Sequence, residues 1–174
     1  MTGKTFLNRL ANGEKDIVQF LLSLLEQTDA AYCVIGGLAV NAYAEPVVSL
    51  DLDLVVVSDR LDALRSAAQA AGTKVQEFQH SVNLSLPGSD LRIQLQTHPR
   101  YQDFVSRAQR RDVLGYDMAV ACLGDVLSGK VWAYSDETRR KSKRQKDLAD
   151  IMRLVETHPE LKADLPPDIA PLLD

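Results

Sequence analysis

The chain has 174 residues, 45% of them hydrophobic and 25% charged, with a formal net charge of −4. This composition excludes wholesale disorder and a generic polyanion binder, and the length suffices for one domain with its own core. The longest uncharged run, residues 30–44, contains Gly36, Gly37 and Asn41 and falls short of the ~20 apolar residues of a membrane span.

Thr2-Gly3-Lys4-Thr5 resembles the end of a P-loop, but has no room before it for the strand and glycine such a loop needs. No apolar run follows Lys4, so no signal peptide is expected, and a cytoplasmic protein with no membrane partner is. From Asp16 to Glu26, Ile17, Phe20, Leu21, Leu24 and Leu25 recur at helical spacing, which predicts an amphipathic helix. Tyr32–Ile35 reads as a buried strand, broken by Gly36-Gly37. Leu38–Tyr43 reads as a short helix ended by Glu45-Pro46. Leu52–Val57 is a nearly all-apolar strand entered through Asp51. Ser58 is suited to cap the next helix, which carries Leu61, Leu64 and Ala68 and stops at Gly72.

Three extended segments follow, Lys74–Phe78, Val82–Leu86 and Leu91–Gln96, with a turn at Pro87-Gly88. In the third, Leu91, Ile93 and Leu95 alternate with Arg92, Gln94 and Gln96, the pattern of a strand with one polar face. Residues 100–110 are predicted as a short helix and 113–120 as irregular or extended. Two helices follow, from about Leu123 to Ala133 and from about Thr138 to Glu156, the second with an apolar stripe of Leu148, Ile151, Met152 and Val155. The organisation expected is a single domain over residues 1–158, with a core at about 15–120, C-terminal helices at about 121–158, and a proline-containing, loosely ordered tail at 159–174.

The chemistry concentrates between Val34 and Val57. Residues i and i+2 of a strand share a face, so Asp51 and Asp53 project side by side. Two like charges so placed repel unless a cation lies between them, and oxygen ligands of this kind suit Mg²⁺, which takes its other ligands from water and phosphate oxygens. Gly36-Gly37 removes side chains where a backbone must approach a phosphate, and the helix after it offers free N–H donors. Ser49 would share the face of Asp51 if the strand starts early. Alone, neither a D-x-D nor a Gly-Gly is specific; their order, with the D-x-D opening an apolar strand, is far more so.

Cys33 and Cys122 lie in apolar runs and read as buried free thiols. His80, His98 and His158 are scattered, and no Cys/His spacing fits zinc. Six of the eight residues from Arg139 to Lys146 are basic, either a solvated helix face or a phosphate-contacting patch. Arg140, Lys143, Arg144 and Asp147 share a helical face, and the three cations are candidates for acceptor binding. Lys130 sits in an apolar context, VLSGKVWA, where a lysine either snorkels or meets a phosphate. Asp147 and Asp150 follow the basic run, where an ordinary helix-surface ion pair is the alternative to a site role. Trp132 reads as core.

VIGGLAVNAY, DLDLVVV, VLSGKVWA and KRQKDLADI together resemble the nucleotidyltransferase superfamily of the polymerase-β type, and within it the AbiEii-like enzymes, many of them toxins of type IV toxin–antitoxin systems. The resemblance covers about Tyr32 to Glu156. It implies an α/β fold, a small mixed sheet flanked by helices with a C-terminal helical part. It also implies Mg²⁺-dependent transfer of NMP from an NTP to a hydroxyl of an RNA such as tRNA, a protein or a small molecule, with an antitoxin protein as a further partner. On this resemblance Gly36, Gly37 and Ser49 would bind the nucleotide, Asp51 and Asp53 the metal, Lys130 the triphosphate, and Asp147 would be a further acidic residue of the site. Two departures stand out. Val47 and Val48 follow Pro46 where relatives often have an arginine. Gln94 falls where many members carry a third carboxylate, with Asp90 close by. The alternative is a non-catalytic nucleotide- or partner-binding protein of the same fold.

Overall fold

The computed structural model describes residues 3–10 and 16–173. Helix α1 (Gly3–Leu10) leads to α2 (Ile17–Gln27). Asp16 caps α2 by accepting a hydrogen bond from the Gln19 amide at 2.9 Å, and Ile17, Val18, Leu21, Leu24 and Leu25 are buried. Then come β1 (Tyr32–Ile35), α3 (Gly36–Val40), β2 (Asp51–Val56), α4 (Leu61–Ala70), β3 (Lys74–Glu77), β4 (Ser81–Ser85) and β5 (Arg92–Gln96). The chain closes with α5 (Gln102–Ser106), β6 (Gln109–Val113), β7 (Tyr116–Val120), α6 (Leu123–Ser135) and α7 (Lys141–Thr157).

The strands form one seven-stranded sheet in the order β3-β4-β5-β2-β1-β7-β6. It is mixed: β2 runs parallel to β5 and β1 to β7, and the remaining neighbours are antiparallel. Alternation sorts its faces. Leu52, Leu54, Val82, Leu84, Ile93 and Leu95 are buried in the same core as Leu21 and Leu25 of α2 and Leu64 and Ala68 of α4. The other face carries Asp51, Asp53, Arg92 and Gln94, and α6 packs over part of it. This is the expected architecture.

Local expectations needed revision. Residues 100–110 are not one helix: a 3₁₀ turn at Pro99–Tyr101 runs into the short α5, and Gln109 and Arg110 already belong to β6. Residues 113–120 form the turn and second strand of the β6–β7 hairpin, with Leu114 and Gly115 at positive φ. Ser58 opens a 3₁₀ turn and makes no capping bond. The last helix starts at Lys141 rather than Thr138, because Asp136 Oδ1 accepts from the Thr138 amide at 3.0 Å and holds a turn there. The segment after residue 158 is not loose: Leu161, Leu165 and Ile169 recur every four residues through 3₁₀ turns and are buried on the core. Cys33 is buried but Cys122 only partly so, at the mouth of α6. Among the described residues no helix is long and apolar enough to cross a membrane.

The buried face of α7 is rotated from the predicted stripe. Asp147, Asp150, Ile151 and Leu154 are buried, at i, i+3, i+4 and i+7, while Met152 is exposed. Two carboxylates therefore occupy positions that an amphipathic pattern reserves for apolar side chains. Their cost is met by a buried lysine on α6.

Candidate functional site

Asp51 and Asp53 lie on the polar face of β2, as alternation requires. Parallel register sets Asp51 beside Arg92 and Asp53 beside Gln94 on β5. The two carboxylates have different surroundings. Asp51 Oδ1 receives Arg92 Nε at 2.7 Å, and its Oδ2 lies 3.5 Å from Lys143 Nζ. Asp53 makes no hydrogen bond or ion pair among the described residues. Burial pushes its pKa up to about 6; the charge of Lys130 works against that rise and the charge of Asp51 adds to it.

Gly36 closes over Asp53. Its φ of +71° suits glycine, and a Cβ there would lie 2.3 Å from Asp53 Oδ2. Gly37 is less constrained, since a Cβ would meet only Ser49 Oγ, at 3.7 Å. Ser49 is buried, and its hydroxyl both donates to the Asp51 carbonyl and accepts from the Asp51 amide, each at 3.3 Å. Its role is to fix the entry into β2. Asn41 does the same for the preceding loop, exchanging hydrogen bonds of 2.8 and 3.0 Å with the backbone of Val47.

A cavity of about 130 Å³ opens between the sheet and α6, with Gly36, Asp53, Gln94, Lys130, Arg139 and Asp147 among its walls. Lys130 Nζ bridges Asp147 Oδ1 at 2.9 Å and Asp150 Oδ2 at 2.7 Å. Burial alone would lower its pKa, but the two carboxylates outweigh this and raise it, so the ammonium stays charged. Arg139 Nε contacts Asp147 Oδ2 at 2.8 Å and Arg153 Nη1 contacts Asp150 Oδ1 at 2.8 Å. Arg153 also donates to Asn41 Oδ1 at 2.8 Å and to the Glu45 carbonyl, tying α7 to the loop before Asp51. Three cations thus face two carboxylates, leaving one positive charge in surplus.

Of the residues singled out in the sequence, Gly36, Asp53, Gln94, Lys130 and Asp147 share one cavity, and Asp51 and Lys143 meet at its edge. Arg144 does not join them: its Nε donates to the Tyr134 carbonyl at 2.6 Å and fastens α7 to α6. Arg140 is exposed, just before α7. Trp132 is partly buried and stacks on Phe104, with ring centroids 5.7 Å apart. Sequence reasoning ranked Asp150 below Asp147, placed Arg139 only in the basic run, and gave Arg92 and Arg153 no part. The alternation that placed Arg92 on the face of Gln94 was the available signal for its contact with Asp51.

A divalent cation fits the donors present. Asp53 is a desolvated carboxylate without a partner among the described residues, Asp51 is its neighbour on the same face, and Gly36 places no side chain against the Asp53 oxygens. Among the described residues no group of three or more His, Cys, Asp or Glu side chains gathers around a common point. The protein thus offers two carboxylates and leaves the other coordination positions to water or a ligand.

The seven-stranded mixed sheet with its flanking helices has the nucleotidyltransferase fold. Structural neighbours agree. The antibiotic-resistance factor ANT(2'')-Ia, solved with adenylyl-2''-tobramycin, is 14% identical over 90% of this chain and 92% of its own, with a TM-score of 0.59. The lincosamide antibiotic adenylyltransferase LnuA, solved with lincomycin, is 10% identical over 82% of this chain and 99% of its own, with a TM-score of 0.57. An antigenic nucleotidyltransferase-like protein from Paracoccidioides brasiliensis is 16% identical over 84% and 89%, with a TM-score of 0.54. No family model and no curated protein sequence matches the chain.

Proposed function

We propose that the protein is a nucleotidyltransferase that moves NMP from an NTP to an acceptor hydroxyl. The observation that carries this reading is the unpaired, desolvated Asp53 beside Asp51, under a glycine turn, in a cavity walled by Lys130 and Arg139. Asp51 and Asp53 would hold Mg²⁺, which supplies charge neutralisation at the triphosphate. The surplus positive charge of the Lys130–Arg139–Arg153 group favours the phosphates on the same side. A cavity of about 130 Å³ is smaller than the ~300 Å³ a nucleotide-sized ligand needs. The nucleotide would therefore extend beyond the cavity toward Asp51, where Arg92 and Lys143 would exchange that carboxylate for phosphate oxygens. Lys130 contributes chiefly by ordering the two C-terminal helices, because both of its carboxylate partners are already in place.

Gln94 cannot take a proton, so the carboxylate often found at that position has no replacement on β5. This favours a second reading, a nucleotide-binding protein without transfer. A toxin role, an antitoxin partner and an AbiEii-like subtype rest on sequence resemblance alone. Incubation with each α-labelled NTP and Mg²⁺ in the presence of total RNA, cell protein or small-molecule extract tests the main reading. Label transferred by the parent and lost in Asp53→Asn supports it. NTP binding without transfer to any fraction supports the second.

A further inference from the structure

The polar face of the sheet does not end at the cavity. Register aligns Asp53 on β2 with Gln94 on β5, Gln94 with Asn83 on β4, and Asn83 with Gln76 on β3. Cα partners point the same way, so four polar side chains form one row across four strands. At 4.7–4.9 Å per strand the row extends about 14 Å from Asp53. Gln94 and Gln76 are exposed and Asn83 is half-buried. The helix that packs on β3 is α4, which shares the opposite, apolar core with Val82 and Leu84.

The shelf has a definite chemistry. The exposed carboxamides of Gln94 and Gln76 each offer a donor and an acceptor on either side of the half-buried Asn83, and Ser85 adds a hydroxyl beside Lys74. Gln94 has no side-chain partner among the described residues, and Asn83 Oδ1 is a buried acceptor without a hydrogen bond. Phe78, just past the end of β3, is 58% exposed. The cations nearest the row are committed to the nucleotide end of the site: Arg92 and Lys143 sit on Asp51, from which the nucleotide's phosphates would draw them, and Arg139 sits on Asp147. Along the row itself Lys74 adds one positive charge, which is too little for a polyphosphate backbone. Carboxamides that hydrogen-bond neighbouring hydroxyls, next to one exposed ring for a C–H face, suit a polyol.

We propose that the acceptor lies along the Asp53–Gln94–Asn83–Gln76 row and is a neutral, polyhydroxylated, sugar-like molecule. The inference rests on the nucleotidyl-transfer reading for the reaction, but not for the binding. In the reaction, the acceptor oxygen at the Asp53 end bonds to the α-phosphorus as the bond to the pyrophosphate oxygen breaks. Pyrophosphate leaves with that electron pair, and the hydroxyl proton passes to water at the open edge of the shelf.

Side-chain amide signals in ¹H–¹⁵N spectra of the intact chain read the shelf directly. Millimolar maltotriose or myo-inositol should shift the NH₂ signals of Gln76, Asn83 and Gln94. The exposed substitution Gln76→Trp should weaken that response at least tenfold while leaving the fold's backbone signals in place. A ten-nucleotide single-stranded RNA should leave the three signals unmoved. Amide signals that ignore both polyols, or that respond to the RNA in a salt-dependent way, overturn the proposal. Mg-ATP is read separately, at the Gly36 and Asp53 backbone amides. If those stay still while the shelf responds to polyols, nucleotidyl transfer fails and the binding site stands.

Discussion

Arg92 occupies one oxygen of the carboxylate that a metal would use, so it competes with that metal, and Arg92→Ala should tighten binding. The magnitude follows from exposure. The Arg92 side chain is 70% exposed and that of Asp51 25%, so the 2.7 Å contact is a surface pair despite its short distance. Such pairs contribute about 0.2–1 kcal/mol. Freeing Asp51 should therefore tighten Mn²⁺, used as a spectroscopic stand-in for Mg²⁺, by about 1.5- to 5-fold. The assay is a titration of free Mn²⁺ by electron paramagnetic resonance at low salt, with Asp53→Asn as the control that should abolish binding. The advantage of the variant should shrink in 1 M salt, where screening weakens the pair in the parent. Unchanged affinity would mean that Asp51 is not a ligand. Weaker affinity would mean that Arg92 orients Asp51 for the ion rather than competing with it, and either result refutes the reasoning.

Three further outcomes are expected. Burial raises Asp53 to about 6, so its protonated form contributes stability that is complete below the unfolded-state value near 3.8 and is lost as pH rises through 6. Asp53→Asn should consequently stabilise the metal-free protein at pH 7–8, by on the order of 1–3 kcal/mol, with no gain below about pH 4, as read from urea midpoints across pH. Lys130→Ala leaves Asp147 and Asp150 buried with one cation less and should lower stability by about 3–5 kcal/mol; a midpoint shift below 1 kcal/mol would mean that water reaches the carboxylates. Gly36→Ala meets both a left-handed backbone and the Asp53 carboxylate and should cost about 1–2 kcal/mol or more along with metal binding, whereas Gly37→Ala should be close to neutral in thermal melts and Mn²⁺ titration alike.

The strands that carry the site were legible because alternation is a local property. Asp51 and Asp53 on one side of Leu52 and Leu54, or Gln94 between Ile93 and Leu95, need only a period of two. The β6–β7 hairpin was not, because Arg110-Arg111-Asp112 has no apolar alternation; an edge strand bearing charges resists pairing with other chains and for that reason does not look like a strand. The tail was misread because its prolines suggest looseness, while Leu161, Leu165 and Ile169, one turn apart, find room on the core.

The hardest feature to read was α7, where the rule that charges stay outside fails. Asp147 and Asp150 were weighed as surface ion pairs because their neighbours in sequence, Lys143, Arg144 and Lys146, offer partners at helical spacing. Neither uses those neighbours. Asp147 takes Lys130 and Arg139, and Asp150 takes Lys130 and Arg153. Of the two partners that come from outside α7, Lys130 is 17 residues from Asp147 and Arg139 is 8. A local pattern contains no signal for such pairings; the packing of α6 against α7 creates them. The lysine in VLSGKVWA was the visible clue, since a lysine in an apolar helix must find charge across an interface or leave it. Lys130 stays, which fixes the rotation of α7, carries Lys143 to the edge of the D-x-D, and sends Arg153 to the loop that enters β2. The two carboxylates that read as surface charges in one dimension therefore help place the cation beside Asp51 and anchor the loop that leads to it.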